Sequence, residues 1–120
     1  MRRLKARVLS APAEAIIVQL VFTGYQDRLV DLAMRVQLPI ISDFPVFAKA
    51  GALFTFGVVE SAVVQRTAYF VDRILKGAKA AELPAEQPTK FNLLTNLRTA
   101  KALNISVPAV LLSRADEVIE

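Results

Sequence analysis

Between Ala15 and Phe22 the sequence reads AIIVQLVF, seven apolar side chains interrupted only by Gln19. A helix needs about 20 apolar residues to cross a bilayer, so this run is too short to span one. Its β-branched content and length predict a strand covered on both faces. Thr23-Gly24 ends it. From Tyr25 the period changes. Tyr25, Leu29, Leu32, Ala33 and Val36 fall on one helical face, and Gln26, Asp27, Arg28, Asp31 and Arg35 on the other. A buried strand followed at once by an amphipathic helix leaves few architectures open, because such pairs build right-handed βαβ units on a parallel sheet.

The same alternation continues downstream. Leu38 to Ser42 predicts a second strand, with Pro39 tolerated only at its start. Asp43-Phe44 turns the chain into a short helix, Pro45 to Ala50, which Gly51 stops. Leu53 to Phe56 predicts a third strand closed by Gly57. Glu60 to Lys76 then predicts a long helix, with Val64, Thr67, Ala68, Val71 and Leu75 toward the core and Gly77 as its cap. The expected fold class is therefore α/β, a three-layer arrangement of a parallel sheet with helices on both faces. Residues 78–90, with Pro84 and Pro88, read as a linker. Beyond them Phe91 to Thr95 predicts a strand, Asn96 a helix cap, Asn104 a left-handed helix stop, and Pro108 the start of a last helix reaching Val118. The expected organisation is an α/β unit over 1–77, a linker over 78–90 and a terminal strand with helices over 91–120.

Composition mainly excludes. At 120 residues the chain can bury a real core, and 54% hydrophobic against 22% charged residues rules out disorder. The net charge of +4 has no focused basic block: Arg2, Arg3, Lys5 and Arg7 cluster at the start, and the other cations are interspersed with acids. Nucleic acid is therefore not an expected partner. Without cysteine or histidine there can be no disulfide, no zinc site of thiolate or imidazole ligands, no cysteine nucleophile and no histidine-based triad. An export signal places its apolar core before small residues at the cleavage site, whereas here Ala11-Pro12-Ala13 precedes the apolar run. The order predicts no export signal, which leaves a cytoplasmic location open.

In open parallel sheets ligands bind beyond the carboxyl ends of the strands. Three such ends are Phe22-Thr23-Gly24, Ser42-Asp43-Phe44 and Phe56-Gly57. Backbone N–H groups at Thr23 and Gly24, ahead of a helix, could receive a carboxylate, or simply cap that helix. Asp43 could hold a ligand amine or serve as a turn residue, and Phe44 and Phe56 could stack on a ligand or fill the core. Glu60 most simply complements a helix dipole. The isolated glycines 24, 51, 57 and 77 form no nucleotide-binding signature, so no cofactor is expected. Asp43 and Glu60 with scattered hydroxyls do not make a nucleophile, base and orienting group, and no enzyme is expected.

The segment ILKGAKAAELPAEQPTKFNLLTNLRTAKALNISVPAVLLSRADEVIE, residues 74–120, closely resembles the C-terminal end of ABC-transporter substrate-binding proteins of the tryptophan/tyrosine type. LPIISDFPVFAKAGALFTFG, residues 38–57, is similar to that family's LPAIYGFREFVEAGGLMSYG, with Pro39, Phe44, Phe47, Ala50, Gly51, Leu53 and Gly57 in place. The resemblance implies one lobe of a type I periplasmic-binding-protein fold, a small solute such as an amino acid held in a cleft, hinge closure on binding, an ABC permease as partner and a periplasmic setting. It also implies that the chain is the family's C-terminal portion: most of one lobe, then a final segment crossing back to the other. Three cleft positions depart from the family. Gln19-Leu20 stands where Asp-Pro is usual, Ser42-Asp43 where Tyr-Gly is usual, and Thr55-Phe56-Gly57 where Ser-Tyr-Gly is usual. Two readings follow: a truncated solute-binding component, or an orphan α/β lobe that self-associates as a homodimer and binds no ligand.

Overall fold

Ile16 to Val18, Ile40 to Ser42, Phe54 to Val58, Phe91 to Asn96 and Glu117 to Ile119 form one sheet, β1 to β5, whose spatial order is the chain order. The structure is a computed structural model that describes residues 13–120. The N-terminal basic cluster and Ala11-Pro12 lie outside the described residues. β1 runs parallel to β2, β2 to β3 and β4 to β5. Helices intervene between the strands: α1 (Gln26–Arg35), α2 (Pro45–Ala50), α3 (Glu60–Leu75), α4 (Leu97–Ala102) and α5 (Ala109–Leu112). The expected α/β class with a parallel sheet is what the chain adopts.

The chain divides into two compact units, residues 13–57 with 92–120 and residues 58–91. In the first, Val18, Val30, Ala33, Ile40, Phe47 and Ala52 form a buried cluster, with Leu29, Met34, Phe44 and Val46 partly buried against it. β1 and β2 thus meet α1 and α2 in a shared apolar core. Local chemistry sets several boundaries. Pro45 sits in the first turn of α2, where a missing N–H costs nothing. Gly51 ends that helix at φ +118, a left-handed value that glycine adopts without strain. Ala52 N–H then donates to Phe47 C=O at 2.7 Å and Leu53 N–H to Ile40 C=O at 2.8 Å, which launches β3.

Asn96 is the buried hinge between β4 and α4. Its Oδ1 accepts from Thr99 N–H at 3.1 Å, as a helix cap does. Its Nδ2 donates to Ala48 C=O at 3.0 Å, and its backbone N–H donates to Leu53 C=O at 2.8 Å. Thr99 Oγ1 adds a bond to Gly51 C=O at 2.8 Å. One cap residue therefore fixes α4 and ties it to α2 and to the entrance of β3. Asn104 takes the predicted left-handed conformation, φ 54, after α4.

Three local expectations fail. The strand expected from Ala15 to Phe22 stops at Val18 and is followed by a 3-10 turn, Leu20–Phe22. Its partner β2 offers only three residues before Asp43-Phe44-Pro45 turns away, so nothing remains for a longer β1 to pair with. Nor is β1 covered on both faces, since Ile17 is 77% exposed. The helix expected from Pro108 to Val118 is a single turn, α5, and the chain ends in β5. Asp116 makes that switch: its Oδ2 accepts from Leu93 N–H and its own N–H donates to Leu93 C=O, each at 2.8 Å, which starts the pairing of β5 with β4. Finally, α3 has no buried residue at all, so Val64, Thr67, Ala68, Val71 and Leu75 do not face a core.

Candidate functional site

Parallel register brings the first three strand ends to one level. Val18 pairs with Ser42, and Ser42 with Thr55, so Gln19, Asp43 and Phe56 each stand one residue beyond a common line across β1, β2 and β3. This is the edge at which an open parallel sheet accepts ligands. Asp43 is exposed, and Phe56, on β3, is 56% exposed. Thr55, its neighbour on the strand, points the other way and is buried, as the two-residue period of a strand requires.

Gly57 brings Asp43 and the end of β3 into van der Waals contact. A Cβ added at Gly57 would collide with the Asp43 carbonyl oxygen, so only glycine allows the two strand ends to approach this closely. Phe44 sits between site and core. It packs partly against the buried cluster, and its N–H donates to Ser42 Oγ at 3.3 Å. Of the residues predicted from sequence, Asp43, Phe44, Phe56 and Gly57 are thus gathered at the ends of β2 and β3.

Thr23 and Gly24 are placed differently. The 3-10 turn after β1 carries the chain on before α1 begins, and both N–H groups are already used: Thr23 N–H donates to Leu20 C=O at 2.8 Å and Gly24 N–H to Gln26 Oε1 at 2.6 Å. Thr23 Oγ1 also donates to Leu20 C=O, at 2.7 Å. An anion at this turn would have to displace bonds the turn already makes.

Thr55 is the residue whose importance sequence reasoning misses. It is 1% exposed, and among the described residues its hydroxyl has no hydrogen-bond partner. A threonine in an apolar strand looks like ordinary β-branched filling, and only the register that sets it beside Ser42 marks it out. Chemically, the strand ends offer a carboxylate, an amide at Gln19 and an aromatic ring. Among the described residues there is no group of three or more acidic, histidine or cysteine side chains able to hold a metal.

A second concave surface lies within residues 58–91. A groove of about 710 Å³ is lined by Val59, Val63, Tyr69, Phe70 and Pro88, with Arg66 and Glu86 at its wall. The Arg66 guanidinium lies 4.1 Å from the Tyr69 ring centre and 4.9 Å from that of Phe70, and it makes two hydrogen bonds to the Glu86 carboxylate. Those bonds raise the Arg66 pKa and lower that of Glu86. Each charge is answered by the other, which leaves the groove without a charge for a ligand.

The chain belongs to the family of ABC transporter substrate binding proteins, whose model matches residues 5–119. No curated protein matches it. Among solved structures it is similar to the ABC domain in complex with L-Trp from Streptococcus pneumonia, with a TM-score of 0.84 and 21% identity over 98% of this chain and 41% of that one. It is also similar to a conserved domain protein from Vibrio cholerae O1 biovar El Tor, with a TM-score of 0.81 and 21% identity over 95% of this chain and 41% of that one. The ligand-free, open form of a substrate binding protein with adhesive properties from Clostridium difficile gives 0.69 and 16%, over 98% and 41%. At these identities the likeness establishes the fold. The chain spans about two-fifths of the length of the structures it matches.

Proposed function

We propose that this chain is one lobe of a substrate-binding component for an ABC importer and contributes half of a cleft for a small solute such as an amino acid. The observation that carries this reading is the common level of Asp43 and Phe56 at the ends of β2 and β3, locked by the close approach at Gly57. Asp43 is the group for a ligand amine, and Phe44 and Phe56 supply aromatic surface for an apolar side chain. Thr23 and Gly24 would join the site only by giving up their bonds within the turn. Family membership supports the transport role, an ABC permease as partner and a site of action outside the cytoplasm. Among the described residues no helix is long and apolar enough to cross a membrane. The neighbour in complex with L-Trp makes amino acids the first ligands to try. In this reading the chain acts as a binding lobe and catalyses no reaction, and the second lobe of the cleft comes from another polypeptide segment.

The test is a thermal-shift series on the chain with individual amino acids at millimolar concentration. A ligand that binds only the folded state raises the melting temperature. We expect a shift with at least one aromatic or branched amino acid, and its loss in Asp43→Ala. No shift with any amino acid would refute solute binding by this lobe.

One observation favours a second reading, in which the lobe acts by self-association as a homodimer. The 16-residue helix α3 buries none of its side chains. Exposed apolar surface on this scale is usually covered by a partner, and two-fold pairing is the commonest cover.

A further inference from the structure

Val64, Ala68, Val71 and Leu75 lie on α3 at intervals of four, three and four residues, the spacing of a coiled-coil seam. Val64 is 60%, Val71 50% and Leu75 81% exposed, and Ala68 is exposed between them. With Thr67 and Asp72 they line a shallow depression along the helix. The Arg66, Tyr69 and Phe70 side of the helix is already engaged, by the segment that carries Glu86. The seam is therefore a separate face. Within its own unit nothing buries it.

We infer that this seam is the docking surface for a second copy of the chain, with the two α3 helices packed antiparallel about a two-fold axis. The inference rests on the self-association reading and is independent of solute binding. Two features fix the direction. Placing the axis midway between Ala68 and Val71 sets Val64 against the partner's Leu75 and Ala68 against the partner's Val71, so each large side chain meets a smaller one and the helices can approach closely at Ala68. Charge points the same way. Glu60 opens α3, whereas Arg73 lies in its last turn and Lys76 and Lys79 follow it. Antiparallel pairing brings the acidic start of one helix to the basic end of the other and aligns opposite helix dipoles; parallel pairing would bring like ends together.

The contact is limited in size. Sixteen residues make a helix about 24 Å long, and one such pair buries less than the roughly 1,600 Å² typical of stable complexes. A dimer that dissociates on dilution is expected.

Two measurements test this. Light scattering after size exclusion over a concentration series should show a monomer–dimer equilibrium. In Val71→Asp, a buried charge in each copy should weaken that equilibrium roughly tenfold or more, with an unchanged circular-dichroism spectrum because Val71 is not part of the core. The chain has no cysteine, so single replacements report register directly. Mixed Ala68→Cys and Val71→Cys chains should oxidise mainly to the heterodisulfide, a result that does not depend on how the Asp variant folds. A monomer at all concentrations overturns both the seam and self-association. A dimer that Val71→Asp leaves intact, or one that yields mainly homodisulfides, overturns the seam and leaves self-association standing.

Discussion

Helices α1 and α3 carry the same kind of sequence pattern and meet different fates. In α1 the apolar stripe reaches the core, where Val30 and Ala33 are buried and Leu29 is partly so. In α3 an equally regular stripe of Val64, Ala68, Val71 and Leu75 is exposed. The units containing them differ accordingly. Residues 13–57 and 92–120 hold the buried side chains, including the polar hub at Asn96. Residues 58–91 are held by an exposed ion pair, two aromatic contacts and helix hydrogen bonds. An amphipathic period says that a helix has a face to bury. It does not say against what.

The sharpest way to break this contrast is to hollow out the first unit. Phe47 is fully buried at the centre of the cluster, so Phe47→Ala should cost about 3–5 kcal/mol of unfolding free energy in urea. Loss of under 1 kcal/mol would mean that the core is not where we place it. Gly57→Ala comes next. Its Cβ must push back the Asp43 carbonyl, a backbone shift costing about 1–3 kcal/mol. It should also erase any amino acid shift in melting temperature, because it separates the strand ends that define the site. Asn96→Ala removes a helix cap and strands the Ala48 carbonyl, for about 1–2 kcal/mol. Asn96→Asp should recover part of that loss, since it retains the cap oxygen but not the Nδ2 donor.

The smallest effect belongs to the second unit. Hydrogen bonds from Arg66 hold the Glu86 carboxyl below its ordinary pKa. A carboxylate with a depressed folded pKa stabilises above its unfolded pKa, and that contribution disappears as pH falls through the folded value. The window therefore lies in acid, below the usual carboxylate range. Glu86→Gln should lower the melting temperature slightly at pH 7 and not at all at pH 2, because both side chains are well exposed and solvent screens the pair. An equal difference at both pH values would show that Glu86 acts by packing.

Much of the strand–helix alternation is legible because punctuation is local. Pro45, Gly51, Asn96 and Asn104 act through their own backbone geometry or a bond three residues away, and each does in the structure what its residue type predicts. The resemblance to the binding-protein family was legible for a different reason, a nearly continuous phrase over residues 74–120. The site was partly legible. Asp43, Phe44, Phe56 and Gly57 stand out by their place after strands, but their common level depends on a register that no local pattern encodes. Thr55 was invisible for the same reason.

Sequence alone determined the α/β class, the helix stops and the family, because these depend on residue period, glycine and proline geometry and a specific phrase. Tertiary structure decided the rest. β4 takes β3 and β5 as neighbours within its own chain, β1 is cut to three residues by the length of its partner, and Asp116 turns an expected helix into β5. It also decided that α3 lies exposed. Burial belongs to a pair of surfaces, and one strand of sequence specifies only its own side of the pair.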